Sequence, residues 1–208
     1  MIITQINYRS FNTSATAVLY FQRFYIANKF EDFDRYVIAA ACLFLAGKVE
    51  ETPKKSKSIL DSFRTKIPES FSKTFGDDPK SVLFKAETEL IEALRFDFKV
   101  EHPYQYLIRY IKKIENIPQK TMQKLVQMSW TFINDSMSTT LCIQWEPDIV
   151  AISSLYLSSK VLKIEIECWE GKNCHSSKPW WEYFVDDVNK KLIECVCHCI
   201  LNLYSDTP

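Results

Sequence analysis

The chain has 208 residues, enough for one large domain or two of about a hundred, and 47% of them are apolar and 14% aromatic, which can form a sizeable core. Lys plus Arg balances Asp plus Glu at 26 each, so the positive excess that dominates nucleic-acid affinity is missing. Only three glycines occur, at 47, 76 and 171, whereas phosphate-cradling loops need two or three within a few residues; P-loop NTPases, Rossmann dehydrogenases and kinases are excluded.

Residues 1–10 carry no apolar run of about 7–15 residues, so no signal peptide is expected. Seven cysteines, an odd number without regular spacing, suggest reduced thiols in the cytosol or nucleus.

Apolar periodicity and helix-start signals predict helices over 13–29, 33–49, 53–66, 79–95, 102–114, 119–139, 146–162, 179–186 and 188–204. Thr52-Pro53, Asp78-Pro79, His102-Pro103 and Glu146-Pro147 each read as a start. Proline suits the first helical position, where its missing N–H costs nothing, and Thr52 and Asp78 suit the cap before it. Pro118 and Pro179 fit the same role less tidily. The second helix contains the uncharged stretch Tyr36–Gly47 (YVIAAACLFLAG), which has no polar face and must be enclosed by other helices. At twelve residues it is well short of the roughly 20 needed to cross a bilayer. It runs into Lys48-Val49-Glu50-Glu51, which puts charges at the rim of a packed bundle. Lys163–Glu167 alternates like a strand but has no evident partner, and the class expected is all-α.

The chain also repeats itself. A shift of 112 residues lays Ala39, Leu43, Phe44, Leu45, Lys48 and Val49 onto Ala151, Leu155, Tyr156, Leu157, Lys160 and Val161. So long a period indicates a duplicated domain rather than a solenoid, whose repeats run about 20–50 residues. The seam is expected near Val100, giving units 1–99 and 100–208. The copies diverge just after the shared helix, into Glu50-Glu51 in one and Leu162-Lys163 in the other, which points to function on the first copy.

AAACLFLAGKVEETPKK (39–55) resembles the first cyclin box of the transcriptional cyclins, the cyclin K, T and L group. YFQRFY (20–25), FGDDPK (75–80), VEHPYQYL (100–107), KLVQMSWTFINDS (124–136) and CIQWEP (142–147) extend the likeness, closest to the cyclin K type, over nearly the whole chain. The resemblance implies two tandem five-helix cyclin boxes that lack catalytic residues, metal and cofactor. It implies a heterodimer with a transcriptional cyclin-dependent kinase in the nucleus, activated to phosphorylate the C-terminal repeats of RNA polymerase II, without direct nucleic-acid or membrane contact. It also implies that the opening helix of the first box is largely missing. The apolar face of 13–29, with Leu19, Phe21 and Phe24, is then expected to be exposed. Gln22 stands where cell-cycle cyclins carry an acid paired with an arginine of that helix, so a less stable first box is expected. The low-complexity tail of the family is absent too.

Leu45, Lys48 and Val49 fall at i, i+3 and i+4, on one helical face, and Glu87, Leu90, Ile91 and Leu94 form a matching stripe before Arg95-Phe96-Asp97-Phe98. The resemblance assigns Lys48 and Glu87 to hydrogen bonds with the backbone of a kinase helix. It places Leu45, Val49, Ile91 and Phe98 around an apolar pocket, flanked by Glu50, Glu51 and Leu83. Lys48 and Glu87 could instead pair with each other across two helices. The adjacent Glu50 and Glu51 point about 100° apart on a helix and make a poor catalytic pair.

Other features read more simply. Cys195, Cys197, His198 and Cys199, with Cys168, Cys174 and His175 upstream, could suggest a metal. However, Cys197 points away from Cys195 and Cys199, and the spacing is not that of a zinc site, so core thiols are expected. His102 is expected to cap a helix rather than act as a base. Trp145, Trp180 and Trp181 are expected to pack between helices. Lys54, Lys55 and Lys57 read as a solvated helix face. A rival function is a cyclin-fold initiation-factor core, related to factor IIB, that binds promoter DNA and polymerase.

Overall fold

In the computed structural model, which describes residues 11–170 and 178–205, two α-helical units succeed one another, residues 1–100 and 101–208. In the first, α1 (Phe11–Ala27), α2 (Arg35–Val49), α3 (Ser56–Lys66), α4 (Pro68–Phe75) and α5 (Pro79–Ala93) follow in order. The second holds α6 (Pro103–Ile111), α7 (Gln119–Ser136), the single turn α8 (Leu141–Gln144), α9 (Pro147–Val161) and α10 (Lys190–Ser205). A 3-10 turn spans Trp180–Tyr183, and β1 (Ile114–Glu115) pairs antiparallel with β2 (Cys168–Trp169), Ile114 opposite Trp169. The class is all-α, and Lys163–Glu167 forms no strand.

Each unit is built around its apolar helix. Ile38 to Gly47 of α2 are all buried, with α1, α5 and α3 packed around it. Val150 to Ser159 of α9 are likewise all buried, among α7, α6 and α10. Small residues at 39–41 and at 151, 153 and 154 let neighbouring helices approach closely, and the lack of a polar face leaves no side for solvent. The duplication holds to the residue: Arg35–Val49 and Pro147–Val161 are related by the 112-residue shift. Their C-termini repeat too. Thr52 N–H donates to Gly47 O at 2.8 Å, as does Ile164 N–H to Ser159 O. Glu51 and Lys163, at φ 53° and 54°, supply the left-handed turn that this closure needs.

Several helix starts follow the sequence, with exceptions. Asp34 caps α2, its Oδ1 accepting from Tyr36 N–H at 2.8 Å and Val37 N–H at 3.3 Å. Asp78 caps α5, accepting from Ser81 N–H. Thr52-Pro53 starts nothing: its amide closes α2, its hydroxyl lies 2.7 Å from that of Thr13, and α3 begins at Ser56. Pro68 opens α4, a helix the periodicity did not suggest. Its eight residues bury only Phe71 and Phe75, too few to establish a period, and these rings stack at 4.8 Å. His102 sits at the cap position of α6 without a side-chain capping bond.

The expected exposure of α1 is corrected. Leu19 and Phe24 are buried and Phe21 is half-buried. Phe24 meets Phe33 and Tyr25 edge-on, and α1 lies chiefly along α2, so this face is core. The apolar side chains left in solvent at the ends of α1 are Phe11, Ile26 and, just beyond, Phe30.

Trp180 is buried; Trp181 is half-buried and meets Tyr156 edge-on at 5.2 Å, and Trp145 is half-buried. Cys42 and Cys197 are buried, and Cys197 S–H donates to Ser153 O at 3.4 Å. Burial raises both thiols, Cys197 to about 12. Among the described residues no three His, Cys, Asp or Glu are placed to hold a metal, and no helix is long and apolar enough to cross a membrane. Cys174 and His175 lie outside the described residues.

Candidate functional site

The C-terminal end of α2 and the middle of α5 form a rim on the first unit. Asp34 and Asp78 fix where these helices begin, and so which residues meet about four turns along α2 and two and a half along α5. The result brings Lys48 onto Glu87: the ammonium donates to both carboxylate oxygens at 2.8 Å. Glu87 is largely buried, its side chain 10% exposed, whereas that of Lys48 is 47% exposed. The pair therefore has an inner acid and an outer base. Two of the three ammonium N–H groups are engaged, which leaves one donor, and each carboxylate oxygen retains an acceptor site.

Beneath Lys48 lies a feature absent from the sequence reading. Its Nζ sits 4.1 Å from the centroid of the Phe44 ring, itself 5.8 Å from that of Phe84. A cation over an aromatic face is worth about 0.5–1 kcal/mol at exposed sites. Phe44 and Lys48 stand at i, i+4 on α2, a spacing that could have revealed the contact. Phe84 is 40% exposed, and Lys80 Nζ lies 5.6 Å from its ring centroid.

The other expected site residues divide by accessibility. Val49, Ile91 and Phe98 are half-buried along the rim, and Glu51 is exposed. Leu45 is only 5% exposed, and Leu83 is fully buried. Leu83 therefore offers a partner no surface; it supports the rim from within, because α5 turns it onto the core alongside Leu90. Glu50 is half-buried and accepts from the Thr16 hydroxyl at 2.7 Å, which ties the rim to α1. After α5 the chain reverses through two left-handed residues, Arg95 and Phe96, at φ 53° and 60°. The turn carries Phe98 back to α1, where its carbonyl accepts from the buried Tyr20 hydroxyl at 2.8 Å. Burial raises that hydroxyl to about 12, with Glu50 adding to the shift. Thr16 and Tyr20 were missed because their partners lie 34 and 78 residues away.

The rim thus presents a charged pair, Lys48 and Glu87, with the half-buried apolar side chains of Val49, Ile91 and Phe98.

Comparison with known proteins agrees with this architecture. Residues 5–99 match the model of the cyclin N-terminal domain, and residues 102–203 match that of the cyclin-T2-like C-terminal domain. The chain belongs to the cyclin family. Its curated relatives include Cyclin-K of Danio rerio, 49% identical over 94% of this chain and 45% of that one, and Cyclin-K of Homo sapiens, 48% identical over 94% and 33%. The chain thus spans less than half the length of these relatives. Among solved structures, the yeast RNA Pol II CTD kinase CTDK-1 complex contains a chain with the same fold, at TM-score 0.69 and 22% identity, matched over 99% of this chain and 62% of that one.

Proposed function

We propose that the chain is a non-catalytic regulatory subunit that binds and activates a transcriptional cyclin-dependent kinase. It acts in the nucleus and promotes phosphorylation of the C-terminal domain of RNA polymerase II. The kinship with Cyclin-K supports the class of partner, and the Lys48–Glu87 pair supports the place of contact. Its free N–H and unused carboxylate sites suit the backbone carbonyls and amides of an incoming helix. Val49, Ile91 and Phe98, with the edge of Leu45, border a place for an apolar side chain of that helix, and Glu50 and Glu51 flank it.

The mechanism is positional. A protein kinase works only when the glutamate of its αC helix pairs with the lysine of strand β3, which requires αC to sit inward. A rigid rim that binds the inward position better than the outward one shifts the equilibrium by its differential affinity. The buried stretch Ile38–Gly47 of α2 and the cap-fixed register of α5 make the rim stiff enough for this task.

Co-expression with candidate transcriptional kinases, followed by an assay on a polymerase-tail peptide, tests the reading. Lys48→Ala and Glu87→Ala are each expected to weaken the complex by about 2–5 kcal/mol, roughly thirtyfold or more in Kd, with circular dichroism unchanged. Wild-type activation by both variants would end the assignment.

A further inference from the structure

The second unit repeats the rim of the first but lacks its acid. The 112-residue shift places Leu157, Lys160 and Val161 of α9 on Leu45, Lys48 and Val49. The buried residues of α10, Ile193, Val196, Cys197 and Ile200, follow the pattern of Leu83, Ala86, Glu87 and Leu90 on α5 at a shift of 110. Cys197 therefore stands in the place of Glu87, and Leu201 in that of Ile91.

The consequences are electrostatic and apolar. Lys48 is neutralised by Glu87 at 2.8 Å, whereas Cys197 is a buried thiol whose S–H is turned inward to Ser153 O. Lys160 Nζ lies 5.4 Å from the centroid of the Tyr156 ring; Glu194, on α10 like Cys197, pairs with Lys190 at 3.3 Å. No carboxylate among the described residues lies within ion-pair reach of Lys160. At the positions that match Val49 and Ile91, Val161 is 51% exposed and Leu201 39%, while Val49 and Ile91 themselves are half-buried. By the repeat, an uncompensated cation thus occupies the place of Lys48, and two solvent-facing aliphatic side chains the places of Val49 and Ile91.

We propose that this second rim, Lys160, Val161 and Leu201, is a docking surface for an acidic amphipathic segment of a partner protein. The partner supplies the carboxylate that Glu87 supplies in the first unit, and an apolar side chain to cover Val161 and Leu201. Charge complementarity selects this occupant, because a neutral or basic segment would bury Lys160 without a counter-charge.

The test uses the full chain and a fluorescent helical peptide of Glu, Leu and Ala, with a second peptide in which Lys replaces Glu. Anisotropy is expected to show the acidic peptide binding to wild type and weakening with salt. Lys160→Glu should reduce its affinity at least about tenfold, as should Leu201→Asp. Lys160→Glu should in turn bind the lysine peptide better than wild type does, a charge swap that a purely structural role would not produce. Both substituted positions are exposed, and Lys160→Ala gives a milder check if charge reversal disturbs folding. Kinase activation should survive Lys160→Glu, which separates this surface from the first rim. Equal binding of the acidic peptide to wild type and Lys160→Glu would overturn the proposal. So would loss of kinase activation in Lys160→Glu, or self-association of the chain abolished by Leu201→Asp, since a kinase or a second copy would then be the occupant.

Discussion

Lys48 and Glu87 satisfy each other, and the hydrogen left on the ammonium is what the proposed kinase contact would use. A carboxylate nine-tenths buried would be costly without a partner, and a lysine half in solvent supplies one while keeping a hydrogen to give. Replacing such a pair by apolar groups of similar volume is often neutral or stabilising for the fold. The double variant Lys48→Met, Glu87→Leu is therefore expected to keep or raise the melting temperature while losing kinase binding. A double variant that activates like wild type would reduce the pair to a structural brace. The cysteines offer a second check at the same scale. Cys195 is exposed, whereas Cys42 and Cys197 are buried with thiols raised by burial, so little thiolate forms near neutral pH. Iodoacetamide followed by mass spectrometry should modify Cys195 in the native chain, and Cys42 and Cys197 only after denaturation.

At the level of elements, caps and C-terminal closures place the rim. The Asp34 carboxylate takes two orphan amides at the start of α2, and Glu50 and Thr52 close its end through Ala46 and Gly47 carbonyls. Asp34→Ala should cost about 1 kcal/mol of stability, read as a lower denaturant midpoint with an unchanged slope. Proline at the first helical position made the starts of α5 and α9 legible within a residue, because that signal is local. The same signal misled at Thr52-Pro53, where closing α2 claimed the threonine amide, and it went unread at Ile67-Pro68. A helix as short as α4 owes its stability to Phe71 and Phe75 meeting Phe63 and the core, not to its own periodicity. The β1–β2 pairing joins residues more than fifty positions apart, and no local pattern encodes it.

Across the whole molecule, zero net charge bears on the rival function. A chain without a basic excess releases few counterions from DNA. Electrophoretic mobility with promoter DNA should show no shift at moderate salt, and a tight, salt-resistant complex would favour the initiation-factor reading. The duplicated architecture was visible from residue types alone, since Ala39, Leu43, Leu45, Lys48 and Val49 recur as Ala151, Leu155, Leu157, Lys160 and Val161 at one offset. The membership of Lys48, Val49, Glu87, Ile91 and Phe98 in a single rim was suggested by resemblance to a family, and no spacing rule links positions 48 and 87. Packing settled what the order of residues left open: Lys48 turns to Glu87, Leu83 sinks into the core, Glu50 is held by Thr16, and Phe44 lies under the ammonium. Periodicity and capping act over one or two turns and can be read along the chain. The partner of a charge 39 residues distant depends on how two helices are rotated against a shared core, and that rotation exists only once the core has formed.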